Sequence, residues 1–367
     1  MEISIRLNKL LAEHGLAEYG IIQEIASDID VDRHTIAKLY NNRTASVSLD
    51  LLGKVCTWLE SHHVPARDLP GALFSRGRAG LWEAIACERE EVTLYLGEYQ
   101  SINQPSPASR WIASSDMILS ARVLQQLSMG TAGGSAGPQL KLAHIPFHYA
   151  PNDASLDSRH FEEDKHRAGE VFKELKARTI PDSTIIIGSQ RVNYLLEYFV
   201  ADLFGCKPFL EVKGKPAVPF FCVYRDTDQR TPSCFGDSLH RYRQKDHDVP
   251  GIHYINANGN WATCPWISDQ HDAGVVITLH DHRRKAITLA AFGFTGRATE
   301  AVGEQLVNKE QLFWPPATQL TAMDVGVYIC ELTYPQPSMK KKTSLSTDSV
   351  DCEIIPLHDR RVRQYTS

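Results

Sequence analysis

The chain has 367 residues, of which 43% are hydrophobic and 23% charged, and its formal net charge is −5. This composition is typical of globular proteins with buried cores, and the length predicts two domains, since domains usually run about 100–200 residues. No apolar run approaches the roughly 20 residues of a membrane span, and Met1-Glu2 begins no signal peptide, so we expect a cytoplasmic protein with no membrane partner.

The eight cysteines are scattered along the chain, and no two of them form a Cys-x-x-Cys pair. This spacing predicts neither a disulfide framework nor a zinc site. We therefore expect reduced thiols, no metal and no cofactor.

Residues 21–43 have the pattern of two short helices joined by a tight turn. Asp32 precedes the second helix, where its carboxylate can accept backbone N–H groups as an N-cap. On that helix Ile36, Leu39 and Tyr40 share one side, while the opposite side carries small residues and hydrogen-bond donors. The apolar face of the first helix is predicted to consist of Ile22, Ile25, Ala26 and Ile29.

This stretch resembles the Cro and lambda-repressor-like (Xre) helix-turn-helix family. Ile25-Ala26, the turn at Ile29–Val31, the cap Asp32, the inward Ile36 and the final Asn41-Asn42-Arg43 follow the family pattern, although Asp30 stands where the family usually has Gly. The resemblance implies a five-helix, all-α domain over residues 1–75, whose last helix lies around Ala66–Phe74. It assigns DNA contacts to Arg33, His34, Thr35, Lys38, Asn41 and Arg43.

Proteins of this kind bind a double-stranded DNA operator as homodimers, because two half-sites match two recognition helices. Acidic residues outnumber basic ones over residues 1–70, so binding should be weak and salt-sensitive unless two copies act together. The alternative is a helix-turn-helix that serves only protein docking or dimerisation.

Residues 76–110 are interpreted as a linker, with one short strand predicted at Val92–Leu96. From 111 to 335, strand and helix patterns alternate, which predicts an α/β domain with a mainly parallel, Rossmann-like sheet. Residues 184–187 form a continuous apolar run that is typical of a strand buried on both faces. Residues 336–367 are predicted to be a flexible tail.

Two strands of this domain run through a small polar turn into a helix, at Gly188–Asn193 and at Gly293–Thr299. Such a turn presents backbone N–H groups and the positive end of a helix dipole to an anion. We expect both turns to face one pocket for a small anionic, nucleotide-like ligand. The residues predicted to bind it are Gly188, Ser189, Arg191, Asn193, Gly293, Thr295, Gly296, Arg297 and Thr299.

Motifs for catalysis are absent: neither turn is a Walker A loop or a Rossmann fingerprint, and no Gly-x-Ser-x-Gly elbow occurs. His280-Asp281-His282 is followed by three basic residues that would repel a cation, so we interpret it as a hairpin turn. The sequence thus favours a DNA-binding transcriptional regulator with a ligand-sensing domain and no catalytic residues. The alternatives are an enzyme of nucleotide or phosphosugar chemistry that carries a helix-turn-helix, and a protein-binding scaffold.

Overall fold

The computed structural model describes residues 3–5, 7, 11, 16, 20–41, 47–62, 64, 74–76, 81–88, 91–102, 110–130, 138–149, 157–178, 182–210, 218–224, 233–234, 249–256, 258–281, 283–284, 286–313, 323–335 and 350–357. The chain divides into two compact units, unit 1 at Met1–Ala79 and unit 2 at Gly80–Ser367. Within these ranges, every helix is either too short or too polar to cross a membrane.

Unit 1 is not the all-α domain that we expected, because strands stand near both of its ends and pair antiparallel. Phe74, which we assigned to a last helix, lies in the second strand, and the remaining residues of that predicted helix are outside the described ranges. The elements are β1 (Ile3–Ile5), α1 (Ile21–Asp28), α2 (Arg33–Tyr40), α3 (Leu49–Ser61) and β2 (Phe74–Arg76).

Side-chain caps begin the second and third of these helices. The Asp32 carboxylate accepts the backbone N–H of His34 at 2.9 Å, which confirms the predicted N-cap of α2, and the Ser48 hydroxyl caps α3. Between α1 and α2 the backbone of Asp30 has a φ of 51°, a conformation that Asp adopts more readily than most residues. The core contains Leu7, Leu11, Ile21, Ile25, Ala26, Ile36, Leu39, Leu52, Val55, Trp58, Leu59 and Val64.

Unit 2 begins earlier than the predicted α/β domain and extends into the predicted tail. A helix occupies residues 81–88 and a strand occupies 91–101, both within the predicted linker, and another strand occupies 351–356. Its elements are α4 (Leu81–Glu88), β3 (Glu91–Ser101), β4 (Arg110–Trp111), α5 (Ser114–Gly130), β5 (Gln139–Tyr149), α6 (Ser158–Ala177), β6 (Ser183–Ile187), α7 (Tyr194–Leu203), β7 (Phe220–Val223), β8 (Gly251–Ile255), β9 (Trp261–Pro265), β10 (His271–Asp281), β11 (Ala286–Gly293), α8 (Gly296–Asn308), β12 (Met323–Thr333) and β13 (Asp351–Pro356).

The main sheet of unit 2 has eight strands and is mixed, so the prediction of a mainly parallel, Rossmann-like sheet is wrong. Three strand pairings are parallel, β3 with β5, β3 with β6 and β6 with β11. Four are antiparallel, because β10 returns directly as β11 through a hairpin and β12, β13 and β4 also run against their neighbours. Continuous apolar strands fit either direction when both faces are covered, so composition did not reveal the pairing.

Helices cover both faces of this sheet. On one face α6 and α7 pack over β5 and β6, together with the separate three-stranded sheet β7-β8-β9. On the other face α4, α5 and α8 pack together: Trp82 Nε1 donates to the Leu306 carbonyl at 3.3 Å, and Arg122 Nη1 donates to the Glu300 carbonyl at 2.8 Å. The carboxyl ends of β6 and β11 lie side by side between these layers, since Ala291 is paired with Ile187.

Candidate functional site

The outer face of α2 is the first candidate site. Arg33, His34, Lys38 and Asn41 are exposed and Thr35 is half-buried, whereas Ile36 and Leu39 on the inner face are buried at 0% and 2% exposure. The Asn41 side-chain amide donates to the Ala37 carbonyl at 2.8 Å, so part of its hydrogen-bonding capacity is used by the helix. Arg43, also predicted to contact DNA, lies outside the described residues.

The second candidate site is formed by the turns after β6 and β11, which are neighbours because their strands are. The backbone N–H of Gly188 donates to the Ala291 carbonyl at 3.3 Å. The Arg191 guanidinium lies 4.4 Å from the centre of the Tyr224 ring, and that ring stacks on Phe294 at 4.6 Å. Side chains of the two turns are thus joined through Tyr224.

Several predicted ligand residues use their side chains to build these turns. Asn193 is fully buried, donates to the carbonyls of Tyr95 and Ile187 and caps α7 through Leu195. The Thr299 hydroxyl accepts from the Gly293 N–H at 3.0 Å and donates to the Thr295 carbonyl. The hydroxyls of Thr295 and Thr299 and the amide of Asn193 therefore hold the loop conformations.

The Thr295 hydroxyl caps α8 by accepting the N–H of Ala298 at 3.3 Å, and it also donates to the carboxylate of Asp272. Burial raises the pKa of Asp272 to about 6, against the lowering effect of this hydrogen bond. Arg297 points to an exposed edge, with its guanidinium 3.6 Å from the centre of the Tyr334 ring and 3.4 Å from Asp269. Arg191 and Arg297 thus lie over different aromatic rings.

Much of the backbone of the turns is also used within the fold: the N–H groups of Gly188, Gly293 and Phe294 all donate to other groups of the chain. Gly188 has a φ of 105°, and Ser189 accepts the N–H groups of Val192 and Asn193, which folds the turn tightly. Gly296 begins α8, and a Cβ on it would lie 3.2 Å from the Ser115 hydroxyl. The amino end of α5 therefore lies against α8.

Ser115, Asp116 and Gln190 belong to this site, although the sequence did not lead us to them as ligand residues. Asp116 Oδ2 lies 3.1 Å from the position that a Cβ on Gly188 would take, and Asp116 and Gln190 are each 4% exposed. Burial raises the pKa of Asp116 to about 6, partly offset by the Ser115 hydroxyl at 3.5 Å. A sequence pattern could have identified Ser115 and Asp116. Residues 110–116 run from a strand through a small polar turn into a helix, as the two predicted turns do.

Comparisons with known proteins add no assignment: no protein-family model, curated protein or solved structure matches this chain. The function must therefore be inferred from the chemistry of these two sites.

Proposed function

We propose that the chain is a DNA-binding transcriptional regulator, in which α2 of a homodimer reads a double-stranded operator and unit 2 binds a small anionic, nucleotide-like ligand. The observation that carries the proposal is the division of α2 between a buried apolar face and an exposed face with Arg33, His34 and Lys38. Donor side chains of this kind match the acceptors that base edges present in the major groove.

The net charge of unit 1 supports sequence-specific DNA contacts by the exposed face of α2. Acidic residues outnumber basic ones over residues 1–70, so a basic cluster on one short helix does not follow from the overall composition. Nonspecific attraction to phosphates is weak under these conditions, and base contacts by two copies of the chain compensate for it. Affinity should therefore fall steeply when one base contact is removed.

The experiment is a selection of bound duplexes from a random-sequence DNA library with the full chain, followed by titration of the selected duplex. Loss of the Arg33 contact should cost about 1–3 kcal/mol, or about 5–150-fold in affinity. Lys54→Ala is the matched control for a Lys38→Ala variant, because Lys54 is an exposed lysine of the same unit that pairs with Asp50 at 3.8 Å. We expect Arg33→Ala and Lys38→Ala to weaken binding and Lys54→Ala to leave it nearly unchanged.

Two results would contradict the DNA-binding proposal. One is a selection that enriches no sequence at low salt, and the other is an equal loss of affinity in the Lys38 and Lys54 variants. Equal losses would mean that only the charge of unit 1 matters, which is the behaviour of a nonspecific surface.

Ligand binding by unit 2 is supported by the turns after β6 and β11. Ligands of open α/β sheets gather where parallel strands end, and helix starts there offer N–H groups to an anion. In this unit the starts of α5 and α8 lie close to each other, since Ser115 approaches Gly296, and the start of α5 also borders Gly188. We place the ligand at this edge of the β6 and β11 pair.

A further inference from the structure

Three buried polar atoms border the turn after β6 and have no hydrogen-bond partner among the described residues. They are Oδ2 of Asp116 and both the Nε2 and Oε1 atoms of Gln190. In the described part of the chain, Gln190 is the sole residue with two such atoms. Asp116 and Gln190 thus present acceptors and a donor that no other described residue uses.

Leaving these atoms unpaired destabilises the protein. A buried donor or acceptor without a partner costs about 1–3 kcal/mol, and native structures contain few of them. Asn193 of the same turn shows the alternative. Its amide N–H groups donate to the carbonyls of Tyr95 and Ile187, and its amide oxygen accepts the N–H of Leu195. A side chain retained at such a cost is typical of a binding site whose partner comes from outside the chain.

We propose that Asp116 and Gln190 recognise an uncharged hydrogen-bonding edge of the ligand, of the kind that a nucleobase carries. This inference rests on the proposed ligand-binding function of the same turns and names the part of the ligand that lies there. The carboxylate of Asp116 accepts N–H groups, and the amide of Gln190 offers one acceptor and one donor group. Amide and carboxylate side chains read base edges through such pairs.

The position of Asp116 separates the two parts of the ligand. A phosphate group beside this carboxylate would meet a like charge in a poorly solvated place, so the anionic part lies away from it. The guanidinium of Arg297, which is half-exposed and lies 3.4 Å from Asp269, supplies the positive charge for that part. A nucleoside monophosphate carries both groups, an uncharged edge and an anion, on one molecule.

Access to these atoms requires the turn to move, since the three atoms have no appreciable contact with solvent. A movement at Gly188 costs little, because glycine adopts its present φ of 105° and negative φ values about equally readily. A ligand edge that pairs with Asp116 and Gln190 favours the opened turn, since it satisfies groups that the closed turn leaves unpaired.

The test is calorimetric titration of the full chain with guanosine, adenosine, cytidine and uridine monophosphates, and with inorganic phosphate. The wild type should bind at least one nucleotide more tightly than phosphate and should rank the bases. Asp116→Asn exchanges an acceptor for a donor without a change of shape. It should therefore change the ratio between the affinities for the best-bound and the worst-bound nucleotide by about 10-fold or more. Gln190→Leu should reduce the same ratio.

Asp202→Asn is the matched control, because Asp202 is a half-exposed carboxylate of the same unit that pairs with Lys176 at 2.8 Å. It should leave the base ranking unchanged. Thermal melting of each variant establishes that it is folded, and inorganic phosphate should bind to wild type and Asp116→Asn alike.

Outcomes that overturn the inference can be told apart from those that overturn the proposed function. If phosphate and all four nucleotides bind equally, or if Asp116→Asn and Gln190→Leu keep the wild-type ranking, base recognition by these residues is wrong while an anion site stands. If neither phosphate nor any nucleotide binds, the ligand site itself is wrong. Conversion of a nucleotide to product during the titration would replace the sensor by an enzyme.

Discussion

The helix α2 and the turn after β6 use polar side chains in opposite ways. On α2 the donors Arg33 and Lys38 face solvent and only apolar side chains are buried. At the turn Asp116 and Gln190 are buried and lack partners among the described residues. An exposed donor costs the fold little, whereas an unpaired buried one lowers its stability. Variants of the exposed α2 residues should therefore lose function at unchanged stability, whereas variants of the buried turn residues should lose function and gain stability.

Glycine substitutions give the largest expected contrast between the units. A Cβ on Gly97 in β3 would overlap the backbone carbonyl of Val192 at the turn, and backbone cannot rotate away as a side chain can. Gly97→Ala should destabilise unit 2 by about 3 kcal/mol or more, at or above the upper end of usual overpacking costs. In unit 1, a Cβ on Gly53 in α3 meets nothing within 4 Å, so Gly53→Ala should stabilise that helix by up to about 1 kcal/mol.

Differential scanning calorimetry with hydrogen exchange assigns each change to its unit. If Gly97→Ala melts like the wild type, the close packing of the turn on β3 is contradicted.

Replacing Asp116 should raise stability in a pH-dependent way. Burial raises its pKa from an ordinary 3.8 to about 6, so between these values the native state holds a proton that the unfolded state has lost. Stability therefore falls as pH rises from about 4 to 6 and stays lower above 6. The difference of about two pKa units corresponds to roughly 3 kcal/mol.

Asp116→Asn should thus match the wild type near pH 4 and exceed it by roughly 3 kcal/mol at pH 7. Urea unfolding at both pH values measures this. A constant difference at both pH values would show that the carboxyl group does not titrate in this range. Greater stability together with lost base discrimination would sharpen the contrast with α2, where function is lost without a gain in stability.

The smallest expected effect concerns the cap of α2. Asp32→Ala removes the acceptor for the N–H of His34 and should cost about 1 kcal/mol, whereas Asp32→Asn, which caps equally well, should cost little. Helical circular dichroism during urea unfolding compares the two variants. An equal loss of stability in both variants would mean that the charge of Asp32, and not its hydrogen bond to His34, stabilises the helix.

Local signals predicted the helix pair and several strands correctly. The Asp32 cap, the apolar residues Ile25 and Ile36 and the hairpin after His280 depend on neighbours within a few positions, and all are present in the structure. Strand β6 was recognised because its residues are apolar on both faces.

Features that depend on residues far apart in the sequence could not be predicted from local patterns. Apolar strands do not encode the direction of their neighbours, which is why the mixed sheet was missed. In α5 apolar residues occur on more than one side, and packing buries Leu119, Val123 and Leu127 while Ile118 is 39% exposed. The approach of Asp116 to Gly188 exists in the folded chain alone, since the two residues are far apart in the sequence.

A ligand-sensing regulator of the proposed kind requires one property, namely that occupancy of the turns after β6 and β11 changes the DNA affinity of α2. It is tested most directly by fluorescence anisotropy of the selected duplex with the full chain, in the presence and absence of a millimolar mixture of the four nucleoside monophosphates. A coupling of about 1–3 kcal/mol predicts a change of about 5–150-fold in DNA affinity for the wild type. Asp116→Asn should keep the ligand-free affinity and show a weaker response. An unchanged wild-type affinity, or an equal response in both proteins, would contradict the coupling between the ligand turns and α2.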